Sequence, residues 1–265
     1  MASKRAIRLF CLGLLLSAYA CAQFDSAAEH RILDQANEAR NRAGLAPLRW
    51  NDKLAEAARK HAEKMAVAHS LSHRLQGEAD LTDRIAAGGL RFSSVSENIA
   101  YSTDASEDFH DDWMHSPGHR ANILATRSDS LGVAVLNHNG AYYAVEDFAK
   151  VIEAGSPSTA EARFAAEFNR VRAKLREARA QIDPDPALRS AACAMAVKDA
   201  ADANRIPHQP GSRGAVAFTA SEPEDLPKTI VELARDARFE RLSIGACFKA
   251  TPSMPGGTYW FAVVY

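Results

Sequence analysis

The chain predicts an α+β fold in two consecutive units, and three observations carry that reading. Helix-forming segments come first and strand-forming segments last, this order occurs twice, and each closing pair of strands is split by turn-forming residues. Helices followed by paired strands call for an antiparallel sheet, not for alternating units around a parallel one.

The elements follow in order. Lys4, Arg5 and Arg8 precede a short apolar run, Leu9 to Leu16, that ends in small residues. This is the layout of a secretory signal peptide, assigned to residues 1–22. Ser17, Gln23 and Asp25 interrupt the run too early for the ~20 apolar residues of a spanning helix, so no transmembrane segment is expected. Ala20-Cys21-Ala22 fits a cleavage site that discards Cys21. The competing reading is lipidation at Cys21, against which Ala18 and Tyr19 stand where a lipoprotein signal prefers other residues. A secreted or periplasmic destination is expected.

Beyond the signal only Cys193 and Cys247 remain, and an oxidising compartment lets them pair as one structural disulfide. The 32 basic and 33 acidic residues give a net charge of -1, which removes the electrostatic case for nucleic acid or an anionic membrane. The mature length suits two modest domains. The polar, Pro- and Gly-containing stretch Glu153 to Thr159 reads as a linker, giving domains at 28–150 and 160–265 joined by 151–159.

In the first unit, Asn37 to Leu48 leads through a Pro-containing turn into a helix from Leu54 to Ala68. Its Leu54, Ala57, Ala58, His61, Ala62 and Met65 form one core-facing stripe. His69 and His73 follow, then a Gly-rich stretch, Glu97-Asn-Ile-Ala100, and a helix from Ser106 to His115. Ser116 before Pro117 suits a helix cap and a first-turn proline, starting a new turn that carries His119. Leu131–Val135 and Tyr142–Phe148 form a hairpin around Asn137–Gly140. The second unit echoes this with Asn169 to Arg172, a turn at Ile182–Leu188 and a helix from Arg189 to Ala203. Its hairpin pairs Ile244–Phe248 with Tyr259–Tyr265 around Pro252–Gly257. It is shorter between helix and hairpin, so the chemistry of the first unit's insert has no counterpart there. Cys193 on the helix and Cys247 on the strand would staple helix to sheet.

The series His61 to Met65, Leu-Ser-His73, Glu97-Asn-Ile-Ala, Trp113 through Ser116-Pro-Gly-His119 to Leu124, and Leu131 to Val135 resembles a bacterial CAP-superfamily (cysteine-rich secretory, SCP-like) domain. The likeness covers roughly residues 32–148. It implies an α-β-α sandwich, an antiparallel sheet between helical layers. It also implies a cleft in which His73 and His119 hold Zn²⁺ or another divalent metal weakly, with Glu97 as the acidic member. Two positions depart from the family: Ser116 stands where many eukaryotic members have a second glutamate, and Glu146 where many relatives have glutamine. Two histidines leave coordination open, to be completed by water, Glu97 or Glu146. The second unit then reads as a degenerate CAP-like repeat, with His208 inert.

The resemblance implies a secreted binding module, not an enzyme, whose cleft takes a small lipid-like or peptide ligand. Two alternatives stand beside it. One is a metal-assisted hydrolase of the cell envelope with Glu97 or Glu146 as general base. The other is an interaction scaffold without catalysis. The i, i+4 spacing of His69 and His73 is read as coincidence, with His69 on the surface. His61 and His115 are given packing or solvent roles, and Ser116 with His119 forms no triad. Ligand, metal and oligomeric state stay open at this level.

Overall fold

Side-chain caps decide where the helices begin. In the computed structural model, which describes residues 23–207 and 209–265, Asp25 accepts a hydrogen bond from the amide of Ala28 and Asn51 from those of Lys53 and Leu54. They start α1 (Ser26–Arg42) and α2 (Asp52–Ala68). The rest of the first half is β1 (Gln23–Phe24), β2 (Arg49–Trp50), α3 (Leu81–Ala87), β3 (Phe92–Ser102), α4 (Phe109–His115), α5 (Pro117–Ile123), β4 (Ser130–His138) and β5 (Ala141–Val151). The second half contains α6 (Pro157–Lys174), β6 (Gln181–Pro184), α7 (Pro186–Val197), β7 (Ala215–Ala220), α8 (Lys228–Arg235), β8 (Arg241–Thr251) and β9 (Met254–Val264).

The sheet of the first half runs β1-β4-β5-β3, with β2 parallel to β4 and every other pairing antiparallel. Strand side chains alternate between faces, so each face collects its own core. Leu131, Val133, Val135, Ala144 and Phe148 meet Ile32 and Ala36 of α1, Trp113 of α4 and Ile123 of α5. On the reverse, Ile99, Ala134, Leu136, Tyr143 and Val145 meet Ala58, Ala62 and Met65 of α2, the stripe read from the sequence. Two helical layers around one sheet make the α-β-α sandwich. Gly132 is the point of closest approach: a Cβ there would lie 2.0 Å from the Ala55 nitrogen.

The second sheet runs β6-β8-β9-β7, again with its first strand parallel and the others antiparallel. Gly245 takes the place of Gly132, with a Cβ position 2.1 Å from the Arg189 nitrogen. Asn169 bonds both backbone groups of Ala180 as Asn37 bonds those of Leu48. The fully buried guanidiniums of Arg40 and Arg172 likewise gather carbonyls: Ala46, Ile123, Ala125 and Ser128 for one, Ala178, Ala234, Asp236 and Phe239 for the other. The disulfide Cys193–Cys247 joins α7 to β8 across a Cα separation of 5.2 Å, the staple expected from the sequence.

Several boundaries differ from expectation. The helix expected to run to Ala203 stops at Val197. Asp199 there turns to φ 52°, and its carboxylate accepts from Thr251 and from the Ser253 amide, tying the chain to the second hairpin. The helix expected from Ser106 starts at Phe109, because Asp108 caps it while Asp104 holds Ser106 in a turn. The second hairpin is tighter than expected, since Thr251 already pairs with Met254. Between β5 and α6 residues 152–156 lack regular structure, inside the stretch read as a linker. No described helix is long and apolar enough to cross a membrane. The signal peptide, Cys21 and His208 lie outside the described residues.

Candidate functional site

The site forms at β3, the edge strand of the first sheet. Residues directly opposite on paired strands share a face. Glu97 opposes Asp147 on the face covered by α2 and α3, while Asn98 opposes Glu146 on the face covered by α1, α4 and α5. The two expected histidines therefore reach the edge from opposite sides, His73 from the segment between α2 and α3 and His119 from α5.

His73 donates from Nδ1 to Glu97 at 2.8 Å, and its side chain remains 61% exposed. The other Glu97 oxygen accepts from the guanidinium of Arg84, which also donates to the His73 carbonyl at 2.8 Å. Arg84 thus holds both ends of the His73–Glu97 pair. Below them lies His61, fully buried, with Nδ1 3.1 Å from Glu78 and Nε2 3.0 Å from the Ser72 carbonyl. The packing role expected of His61 is accordingly polar: it fixes the loop that presents His73.

On the other face Asn98 donates to Glu146 at 2.8 Å and to the His119 carbonyl at 3.2 Å. Asn122 donates to the Asn98 side chain and to the Glu97 carbonyl, so α5 is docked on β3 through two asparagines. Pro117 opens α5 as expected, but the Ser116 hydroxyl makes no capping bond; the Ser116 carbonyl closes the turn by accepting from the Arg120 amide. Ser116 is half-buried and His115 exposed, while His69 ends α2 in a left-handed conformation on the surface.

The electrostatics divide the set. The hydrogen bond to Glu97 holds His73 above the ordinary imidazole range. Partial burial, followed by the nearby charge of His73, holds His119 below it. Charge therefore settles on one ring of the pair. Glu146 is fully buried and pushed up to about 8 by desolvation, against the smaller effect of the Asn98 bond, so it is a neutral acid at pH 7. It lies inside the sandwich behind the edge strand, not on a strand surface. Asp147 is likewise held well above the ordinary carboxylate range by burial and by the adjacent Glu97. Glu78 is lowered: burial opposes its charge, but bonds from His61, the Leu75 amide and Lys64 outweigh it.

A carboxylate on Nδ1 orients His73 to offer Nε2, the arrangement found behind metal-bound histidines. Among the described residues no group of three or more His, Cys, Asp or Glu is placed to hold a metal ion. His73 and His119 would supply two nitrogens, with water filling the remaining positions.

Arg84, Glu78 and Asp147 were not singled out by the sequence reading. Nor were Asn98 and Asn122, although both stand inside quoted motifs, beside Glu97 and three residues after His119.

Residues 33–148 match the profile described as the cysteine-rich secretory protein family, CAP. Two Bacillus subtilis proteins are similar over part of the chain. The uncharacterized membrane protein YlbC is 34% identical over 113 residues, 43% of this chain and 33% of its own. The uncharacterized protein YkwD is 30% identical over 108 residues, 41% of this chain and 42% of its own. The chain thus spans less than half the length of either relative. Among solved structures, an extracellular SCP-domain protein of Bacillus anthracis is 28% identical, covers 48% of this chain and 41% of its own, and has a TM-score of 0.44. The crystal structure of Na-ASP-1, only 9% identical, covers 95% of this chain and 91% of its own with a TM-score of 0.50, a likeness of fold.

Proposed function

We propose that residues 33–148, which match the cysteine-rich secretory protein family profile, form a CAP domain whose cleft at His73, Glu97 and His119 is a ligand-binding site working outside the cell. The occupant is a small lipid-like or peptide molecule, held with or without a divalent metal. The carrying observation is the fixed pair: Glu97 spends one oxygen on His73 and the other on Arg84, leaving His73 Nε2 as a pre-oriented nitrogen at the edge strand. His119 adds an imidazole kept neutral by its surroundings and so able to coordinate or to bond a ligand. A bound divalent metal would supply exchangeable positions for a ligand oxygen.

The same geometry argues against the hydrolase. A general base needs a free carboxylate within hydrogen-bond reach of water. Both oxygens of Glu97 are engaged, and Glu146 is buried and protonated at neutral pH. Export rests on the amino-terminal charge and apolar pattern. The second half we read as a CAP-like repeat without a cleft of its own.

The test is titration of wild type and of the double variant His73→Ala, His119→Ala with Zn²⁺ alone and with envelope lipid extract. Loss of both signals in a variant that still unfolds cooperatively and is folded under the titration conditions is the expected result. Full retention of both would overturn the proposal.

A further inference from the structure

The second half keeps the frame of the first and replaces its cleft chemistry with core. Arg40 and Arg172 bracket equivalent carbonyls, which places Ile123 over Ala234 and therefore His119 over Ile230, a fully buried residue. The sheet registers complete the comparison. Gly132 opposes Asp147 and Gly245 opposes Ala262, so Asp147 and Glu146 correspond to Ala262 and Phe261. Their partners across the edge strand, Glu97 and Asn98, correspond to Ala217 and Phe218. Phe218 and Phe261 stack with centroids 4.8 Å apart where the first half has Asn98 and Glu146. Packed side chains thus stand where the first half has its polar groups.

What the second half does offer is its β8–β9 hairpin. β9 packs against α3 and against β3. Gly256 lies so close to Phe92 that a Cβ would sit 2.4 Å from the Phe92 carbonyl oxygen and 2.7 Å from its ring. Arg91 covers the Phe248 ring at 4.9 Å from its centroid. The hairpin is itself stiffened by the disulfide and by the bonds from Thr251 and Ser253 to Asp199. The helix it supports, α3, carries Arg84, whose guanidinium holds the Glu97 carboxylate and the His73 carbonyl.

We propose that the second half is a positioning element for the cleft: its hairpin props α3, and α3 delivers Arg84 to the His73–Glu97 pair. The purpose of that positioning rests on the cleft reading above; the coupling does not.

The test is amide hydrogen exchange on the full chain, with no ligand present. Gly256→Ala forces the hairpin away from Phe92 and is expected to speed exchange about tenfold in α3 and in the Ser72–Arg74 segment, leaving α1 unchanged. If Arg84 carries the effect, an Arg84→Gln background already shows the faster exchange at Ser72–Arg74 and adding Gly256→Ala accelerates it no further. Should Gly256→Ala not fold, Phe248→Leu removes the ring beneath Arg91 and serves in its place. Wild-type exchange at Ser72–Arg74 in a folded hairpin variant, or full additivity with Arg84→Gln, overturns the coupling. Failure of Zn²⁺ or lipid to bind the wild type would leave this result standing and sink only the cleft reading.

Discussion

Glu146→Gln changes one oxygen to an amide in a site that holds a neutral carboxylic acid. Glu146 is wholly enclosed, has one oxygen on Asn98 and no partner for the other. Its pKa rises from an ordinary 4.5 to about 8 on folding. The sign follows from proton counts: between those values the native state keeps a proton that the unfolded chain has lost, so stability falls as pH rises. Each pH unit in that window is worth about 1.4 kcal/mol. From pH 5 to pH 8 the wild type should lose ~4 kcal/mol through this residue, as an upper figure. Glutamine keeps an acceptor for Asn98 and does not titrate. Urea denaturation at pH 5, 6, 7 and 8 should therefore show the two proteins nearly equal at the acid end and the variant more stable by a few kcal/mol at the alkaline end. Because Asp147 titrates in both, the difference isolates Glu146. Parallel profiles across the window would refute the burial argument.

Three further outcomes follow from the geometry. His73 is raised by Glu97, so the stability it contributes is present at acid pH and fades as pH rises through its folded-state value; His73→Ala should destabilise more near pH 5 than near pH 9 in the same assay. Replacing both Cys193 and Cys247 by alanine opens a link spanning 54 residues and should cost up to about 4 kcal/mol, read from the urea midpoint and from a lowered Tm. Arg40→Met should cost about 3–5 kcal/mol by stranding buried carbonyls, whereas His119→Ala, in a half-buried position, should cost about 1 kcal/mol or less.

The sequence made legible what local pattern encodes. The stripe from Leu54 to Met65 is buried as its period requires, and Asn137 to Gly140 turns the first hairpin. His73 and Glu97 were found through motif context, and they do meet. Arg84 was invisible because an arginine on a seven-residue helix reads as a surface charge; its burial depends on Glu97, thirteen residues away, and on the loop carbonyl. The end of α7 was missed for the same reason: Asp199 departs from the helix to reach Thr251 and Ser253, partners no local window contains. Glu146 looked like a spare carboxylate because sequence gives the strand but not the packing on its two faces.

The paired arginines bear on how such a site can change over time. Arg40 and Arg172 set the path of the backbone through α5 and α8 from the far end of each helix, whatever side chain stands four residues before the first carbonyl they grip. A histidine occupies that place in one half and a buried isoleucine in the other, on the same frame. The residues proposed for recognition and those that fix the architecture are thus different, so mutation can vary the edge of the sheet without first surviving a loss of the fold.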